Sequence, residues 1–268
     1  MNTIQMLRVS SLAVLPVVLA MTGCGGGEQK AAAPQPKAPE PVAYFHVDPA
    51  TAATVHGKIV YHGPKMPRTL ISMDSDPACE KANAGKKLYD EPLIVGQDGG
   101  VANVFVYVKT GLEGKKFEVP AESPVLDQHG CAFVPRVTGL QVSQVINIRN
   151  SDPVEHNIHP TPKNNRAWNE GMSPGAPDMK RHFARPEVMI RVKCNVHSWM
   201  RSYIGVMDHP YFAVTGADGA FELKGLPPGN YTVGIWHEKL GEMEQSVTVA
   251  ASGNESLAFT YATPSEPK

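Results

Sequence analysis

The chain has 268 residues and a formal net charge of −1 at pH 7, and this length suits one large domain or two modest ones. No basic run stands out, so nucleic-acid binding has no electrostatic support. Glycine and proline are frequent, with 24 residues of each, and short alternating apolar runs between turn residues predict an all-β protein.

The first 23 residues have the features of an export signal. Arg8 supplies a positive charge, and the apolar stretch from Val9 to Met21 is too short to predict a membrane-spanning helix. The small residues before Cys24 resemble a bacterial lipoprotein signal, in which the cysteine becomes the lipidated N-terminus. This resemblance implies a periplasmic or outer-surface bacterial protein that Cys24 anchors to a membrane, with Gly25 favouring the outer one. Ordinary secretion and a retained membrane anchor are the alternatives.

Residues 24–43 are predicted to be a tether rich in glycine, alanine and proline. Such a segment cannot bury enough apolar surface to fold alone, so we expect an extended spacer. It would hold a folded domain away from the lipid bilayer.

Several short strands are predicted before the region that carries the chemistry, with one helical turn near Cys79. In chain order the predicted strands cover residues 54–64, 67–72, 101–109 and 124–127, followed by two runs between residues 133 and 149. The two later runs are separated by Ser143 and Gln144.

The stretch of residues 188–206 carries the most informative pattern. Its first half alternates as a strand does, and the predicted inward-facing residues are Val188, Ile190, Val192 and Cys194. His197 and Met200 follow Cys194 at three-residue steps. A thiolate, an imidazole and a thioether on one loop suit copper, and two histidines, one cysteine and a distant methionine make an electron-transfer copper site. Such a site needs a second histidine from elsewhere, and His156 or His159 could supply it.

The pattern Cys194-x-x-His197-x-x-Met200, with His156-Asn157 upstream, resembles the cupredoxins and is most similar to amicyanin, with plastocyanin and azurin as further relatives. This resemblance implies a Greek-key β-sandwich with one type 1 copper ion. It implies His156, Cys194 and His197 as ligands and Met200 as the axial ligand. It also implies that Asn157 links the two ligand loops. In the cupredoxins the loop histidine, here His197, lies near the surface and is the electron port.

The cupredoxin resemblance covers roughly residues 133–206 and departs from the family pattern in one place. The irregular stretch of residues 160–185 separates His156 from the strand that leads to Cys194, and a loop this long could cover the site. Its candidate auxiliary Cu(I) ligands are Met172, Met179 and His182, with His159 just before it. The alternative is that these are ordinary loop residues.

Four cysteines are present, and two remain after the candidate lipid and metal sites are assigned. If Cys24 carries lipid and Cys194 carries metal, Cys79 and Cys131 most simply form a disulfide in an oxidising compartment. They could instead lie too far apart to bridge. A bridge from Cys194 to either of them would abolish the copper site, and His129 with Cys131 is a weaker candidate for a second metal fragment.

The C-terminal part carries a second resemblance. The run from Thr215 to Val233 is similar to the carboxypeptidase regulatory-like fold, a small transthyretin-like β-sandwich, and residues 57–63 resemble the first strand of that module. The resemblance implies a module split between residues 44–110 and 210–262, with a cupredoxin-like copper domain inserted at residues 111–209. Insertions of this kind are tolerated because chain termini often lie close together. One enlarged sandwich is the alternative, and no peptidase activity is implied.

The function expected from these features is outer-sphere electron transfer by one copper ion in an exported, membrane-tethered protein. A redox partner would dock through a weak, transient interface, and Trp199 could provide an apolar patch for it or simply pack under the loop. The alternatives are periplasmic copper handling, as a chaperone or a store, and a metal-free cupredoxin-like surface interaction module. An enzyme is not expected. If Cys194 and His197 were a nucleophile and its base, Met200 would be left unexplained.

Overall fold

The computed structural model describes residues 42–73, 76–83 and 86–262. The predicted signal, the lipidation of Cys24 and nearly all of the tether therefore lie outside the described residues. The described part of the chain belongs to one compact unit that starts at Val42. Its residues include no helix with the length and apolar character needed to cross a membrane.

The described residues form 18 β-strands and one α-helix. In chain order these are β1 (Ala53–His62), β2 (Thr69–Leu70), α1 (Pro77–Ala82), β3 (Tyr89–Asp90), β4 (Phe105–Thr110), β5 (Val125–Gln128), β6 (Phe133–Val134), β7 (Val137–Gln141), β8 (Ile146–Asn150), β9 (His156–Thr161), β10 (Glu170–Met172), β11 (Met179–Arg181), β12 (Glu187–Lys193), β13 (Arg201–Met207), β14 (Phe212–Val214), β15 (Ala220–Leu226), β16 (Gly229–His237), β17 (Gly241–Val249) and β18 (Asn254–Ala262). The predicted all-β class is confirmed. Each strand predicted before residue 150 overlaps an observed strand, and the predicted helical turn corresponds to α1.

One β-sandwich is built from strands near both ends of the described chain. Its two sheets have the strand orders β15-β1-β18 and β14-β4-β16-β17. The apolar faces of both sheets share a single core, to which β1 contributes Val55 and Ile59, β4 contributes Val106, and β18 contributes Phe259. The buried residues of this core lie within residues 53–117 and 211–261.

A second β-sandwich is formed by the middle of the chain. Its sheets have the orders β10-β9-β12-β13-β7 and β11-β8-β5-β6. Residues 126–206, joined by Met73 and Cys79, supply its core, which includes Ile148 from β8, Ile158 from β9, Val192 from β12 and Ile204 from β13. Buried residues of the first core come both before and after the main run of the second core, which is the order of the predicted split module and inserted domain. The exact boundaries of these two predicted domains stay a prediction.

Two facing glycines allow the sandwiches to pack closely. Gly139 of β7 pairs with Gly205 of β13. A Cβ atom added to Gly139 would lie 2.4 Å from the ring of Phe212, and one added to Gly205 would lie 2.5 Å from the ring of Phe105. Only glycine leaves room for so close an approach. Strand β4 is thus buried on both faces, since Val106 faces its own core and Phe105 faces the second sandwich. Burial on both faces explains its continuous apolar sequence.

A bulge in β12 corrects one prediction. The pairing of β12 with β13 shifts register between Glu187 and Ile190, and Met189 has a φ angle of 61°. An extra residue of this kind redirects the side chains that precede it. Val188 is consequently 36% exposed, and the prediction that it faces inward is wrong. The other predicted inward residues are buried: Ile190, Val192 and Cys194.

The long stretch of residues 160–185 is more regular than its sequence suggested. It contains β10, which pairs with β9 so that Met172 lies opposite His156, and β11, which pairs with β8. The stretch therefore adds an edge strand to each sheet of the second sandwich.

Candidate metal centre

Two neighbouring strands bring the predicted ligand segments together. His156 is the first residue of β9, and Cys194 directly follows β12. The two strands are antiparallel neighbours, with Lys193 paired to His159. Because the start of one strand lies beside the end of the other, two ligand segments that are far apart in sequence meet at one end of the sandwich.

The loop between β12 and β13 folds back on itself and carries the other predicted ligands. The Cys194 amide donates to the Met200 carbonyl at 3.2 Å, and the Met200 amide donates to the His197 carbonyl at 3.0 Å. The His197 amide also donates to the Cys194 sulfur at 3.4 Å. These contacts direct the side chain of His197 towards Cys194 and place the buried Met200 in the same core as Cys194.

Three potential donor atoms converge at the centre of this arrangement. His156, Cys194 and His197 each offer one ligand atom, and these atoms lie within 4.8 Å of one another. The two imidazole Nδ1 atoms are 2.9 Å apart, and the Cys194 Sγ atom is 3.8 Å from the His197 Nδ1 atom. All three side chains are at most 3% exposed, so water and solutes have little access to the donor atoms.

Each of the two imidazoles is also held by a carboxylate. Asp152 Oδ2 lies 2.8 Å from the Nε2 atom of His156, and Asp76 Oδ2 lies 2.7 Å from the Nε2 atom of His197. A carboxylate on the outer ring nitrogen is the usual support for a metal-ligating histidine, because it fixes the ring orientation and the tautomer.

Asn157 connects the two ligand segments. Its Oδ1 atom accepts a hydrogen bond from the Asn195 amide at 2.5 Å and another from the Cys194 thiol at 3.2 Å. Its Nδ2 atom donates to Asn169. The side chain therefore joins β9 to the loop that follows Cys194 in the described structure.

The electrostatic environment favours a thiolate beside an imidazolium in the metal-free protein. Burial opposes ionisation of Cys194, but the hydrogen bond with His156 and nearby backbone amides lower its pKa to about 6. Burial likewise opposes protonation of His156, but Asp152 and Cys194 raise its pKa to about 9. The Cys194 sulfur is thus readily available as a thiolate, the form that binds metal ions.

A short helix and a disulfide cover the outer edge of His197. Cys79 in α1 is bonded to Cys131, with their Cα atoms 5.8 Å apart, and the Cys79 sulfur lies 3.6 Å from the His197 Nε2 atom. His197 is only 2% exposed. The expectation that this histidine lies near the surface is therefore wrong, because Asp76 and the disulfide occupy the position that solvent would otherwise take.

Trp199 contacts both the segment that carries the disulfide and one of the candidate ligands. Its indole ring is 5.1 Å from the His197 ring, and its Nε1 atom donates to the Cys131 carbonyl at 3.0 Å. The side chain is half-buried and lines a small surface cleft. Trp199 therefore packs on the site and still reaches solvent.

The other predicted candidates make different contacts in the structure. The His159 ring contacts Asn195 Oδ1 at 3.2 Å and not the donor group. The Met172 sulfur accepts a hydrogen bond from Gln128 at 3.3 Å within the core, and His182 is exposed. Cys131 lies in a disulfide, so the predicted metal fragment of His129 and Cys131 has no free thiolate.

Sequence reasoning missed Asp76 and Asp152. Asp152 lies four residues before His156, and that spacing within one short run was a usable signal. Asp76 lies 121 residues from His197 in sequence, and nothing local connects the two. The disulfide and the hydrogen bond from the Asn83 amide group to the Gly130 carbonyl hold α1 against the second sandwich, and this packing brings Asp76 to the site.

Comparison with known proteins gives little beyond distant structural likeness. No protein-family model matches the chain, and no curated protein matches it. Among solved structures, a copper-containing nitrite reductase from Thermus scotoductus SA-01 is 18% identical with a TM-score of 0.31, over 36% of this chain and 24% of that chain. A point mutant of amicyanin in its Cu(I) form is 17% identical with a TM-score of 0.29, over 36% of this chain and 96% of that chain. A purple cupredoxin from Nitrosopumilus maritimus is 17% identical with a TM-score of 0.27, over 31% of this chain and 99% of that chain. At TM-scores this low, the likeness carries no argument about the fold or the function of this chain.

Proposed function

We propose that this chain is an exported, membrane-tethered protein that holds one type 1 copper ion and carries electrons by outer-sphere transfer. The observation that carries the proposal is the convergence of two imidazole Nδ1 atoms and one cysteine sulfur in a buried position. His156, Cys194 and His197 would hold the ion, with Met200 as the axial ligand.

The spacing of the donor atoms suits a single metal ion. Metal–nitrogen distances of about 2.0 Å and metal–sulfur distances of about 2.3 Å place two nitrogens at most about 4.0 Å apart and a nitrogen and a sulfur at most about 4.3 Å apart. The observed separations of 2.9 Å between the Nδ1 atoms and 3.8 Å between the sulfur and the His197 Nδ1 atom satisfy both limits. Soft sulfur with imidazole, and a thioether nearby, favours copper over harder ions.

Burial of the donors supports electron transfer over catalysis. Copper bound here would supply a one-electron couple between Cu(I) and Cu(II). His156, Cys194 and His197 exclude water because they are almost fully buried, and a substrate would have no direct path to the ion. An electron needs no such path, since it crosses packed protein without bond formation. We therefore propose a carrier and not an enzyme.

The edge of the site at Trp199 is the proposed route to a redox partner. The outer edge of His197 is closed by Asp76 and the disulfide, whereas Trp199 contacts the His197 ring and remains partly exposed. A partner would dock there through a weak, transient interface. We further propose that lipid on Cys24 tethers the protein to a bacterial membrane, with residues 24–43 as the spacer.

Copper binding with reversible reduction would test this function. The full chain should bind one copper ion per molecule and give a reversible couple in electrochemistry. His156→Ala should abolish both, because it removes a ligand, whereas His159→Ala is the matched control and should retain both.

Three results would contradict the carrier. Equal loss in both histidine variants would mean that His156 is not the ligand. Binding of Cu(I) alone, without a reversible couple, would favour copper handling, and no binding at all would favour a metal-free interaction module.

A further inference from the structure

Each of the two candidate histidine ligands has its outer nitrogen bonded to a buried or half-buried carboxylate. Asp152 is 5% exposed and accepts from the amides of Gly130 and Cys131, at 2.6 Å and 2.7 Å, as well as from His156. Its position is therefore fixed by three contacts. A buried carboxylate is costly unless it is paired in this way, so its place beside the imidazole is set by the surrounding structure.

Asp76 is fixed in a different way, from outside the strands that carry the ligands. Its Oδ1 atom caps the N-terminus of α1 by accepting from the amides of Ala78 and Cys79, at 3.0 Å and 3.2 Å. Its Oδ2 atom is left for the His197 Nε2 atom at 2.7 Å. The Cys79–Cys131 disulfide holds the same helix in place, so Asp76 cannot move away without the helix.

These contacts determine which ring nitrogen can bind a metal ion. A carboxylate only accepts hydrogen bonds, so it requires a hydrogen on the Nε2 atom of its histidine. In a neutral imidazole the Nδ1 atom then keeps its lone pair. Both Nδ1 atoms point into the donor group and lie 2.9 Å apart, a separation that one shared metal ion can bridge.

We propose that Asp76 and Asp152 are positioning residues for the two histidine ligands, which they hold with Nδ1 facing the metal ion while their negative charges favour Cu(II) over Cu(I). This inference rests on the proposed function for its copper part. The tautomer and the affinity for a redox-inert metal ion follow from the hydrogen bonds alone and do not require that copper is the natural ligand.

Asparagine substitutions separate positioning from helix capping. Asp76→Asn keeps a good N-cap, because asparagine caps helices as well as aspartate does, but its amide group replaces the acceptor with a donor. His197 must then accept at Nε2 and carry its hydrogen on Nδ1. Asp152→Asn should do the same to His156. Asp178→Asn is the matched control, since Asp178 is bonded to Arg149 at 2.8–3.0 Å and contacts no candidate ligand.

Three measurements on the full chain test the proposal. Nitrogen NMR of the metal-free protein should show the hydrogen of His197 moving from Nε2 to Nδ1 in Asp76→Asn. Affinity for Zn(II) should fall by roughly 10–100-fold, the usual cost of losing such an outer carboxylate. In the copper-loaded protein, the ratio of Cu(II) to Cu(I) affinity should fall by about tenfold, which raises the reduction potential by about 59 mV. Asp178→Asn should leave all three unchanged.

The proposal would be overturned if Asp76→Asn kept the wild-type tautomer and bound Zn(II) within about twofold of wild type, well short of the expected loss. If Asp152→Asn does not fold, because the amide group that faces His156 also replaces the acceptor of the Cys131 amide, Asp76→Asn decides the question alone. A wild-type protein without a copper–thiolate complex would refute the proposed function, while the tautomer and the zinc affinity would still test this inference.

Discussion

At the scale of single residues, the candidate site depends on side chains that have two tasks. Asn157 illustrates this, because the same Oδ1 atom accepts from the Asn195 amide and from the Cys194 thiol. The positions of the candidate ligands in the loop after β12 therefore also depend on the Asn157 side chain, which comes from β9. The predicted link between the two ligand segments is consistent with these contacts.

Replacing Asn157 with alanine should destabilise the metal-free protein by about 1–3 kcal/mol, because the partly buried Asn195 amide loses its acceptor. Urea denaturation measures the free energy of unfolding. Asn147→Ala is the control, since the buried Asn147 Oδ1 atom has no hydrogen-bond partner among the described residues and its removal should cost little. An equal effect of the two substitutions would contradict a specific role for Asn157.

At the scale of elements, a helix of six residues determines how the site meets solvent. Helix α1 is too short to be stable alone, and the disulfide to Cys131 attaches it to the second sandwich. Through Asp76 it then covers His197. Part of the cover over the site is therefore supplied by an element that precedes both ligand segments in sequence.

Removing the disulfide should destabilise the protein by ~4 kcal/mol, because the bridge closes a loop with a sequence separation of 52 and thereby constrains the unfolded chain. Denaturation of the Cys79→Ala/Cys131→Ala double variant would measure this. Each single variant should lose about as much as the double variant, since either one breaks the bridge. A double variant as stable as wild type would show that the disulfide does not anchor α1.

At the scale of the whole molecule, two sandwiches with separate cores are joined where aromatic rings pack closely against glycine residues. Phe105 and Phe212 approach Gly205 and Gly139, and Arg136 is bonded to Glu238 at 2.7 Å across the same junction. The first sandwich therefore contributes to the stability of the second, which carries the candidate metal centre.

Acid should destabilise the molecule through a buried histidine of the first sandwich. Burial lowers the pKa of His237 from 6.5 to about 4, and its Nδ1 atom accepts from the amides of Lys239 and Leu240. Below pH 6.5 the unfolded chain gains a proton that the folded chain does not take up until about pH 4. The free energy of unfolding should therefore fall by roughly 3 kcal/mol between these values.

His237→Asn tests this acid effect, because asparagine keeps an acceptor but does not titrate. Urea denaturation at several pH values should show a smaller acid loss in this variant than in wild type, by roughly 3 kcal/mol. The exposed His129 gives the control variant His129→Asn, which should follow the wild-type profile. Parallel profiles for His237→Asn and wild type would contradict the account.

The sequence was most informative where a pattern was local. Alternation predicted the strand that ends at Cys194, and the three-residue steps to His197 and Met200 predicted a shared loop. Val188 was wrongly placed because a bulge at Met189 depends on pairing with β13, which no local pattern reveals. The closed edge of His197 was missed for a similar reason, since Asp76 reaches it only through tertiary packing.

The central claim is that Cys194 binds copper as a thiolate, and the visible absorption spectrum of the protein with Cu(II) tests it most directly. Wild type should show an intense thiolate-to-copper charge-transfer band, and Cys194→Ser should lose that band while it remains folded. No band in wild type, or a band that persists in Cys194→Ser, would contradict the claim.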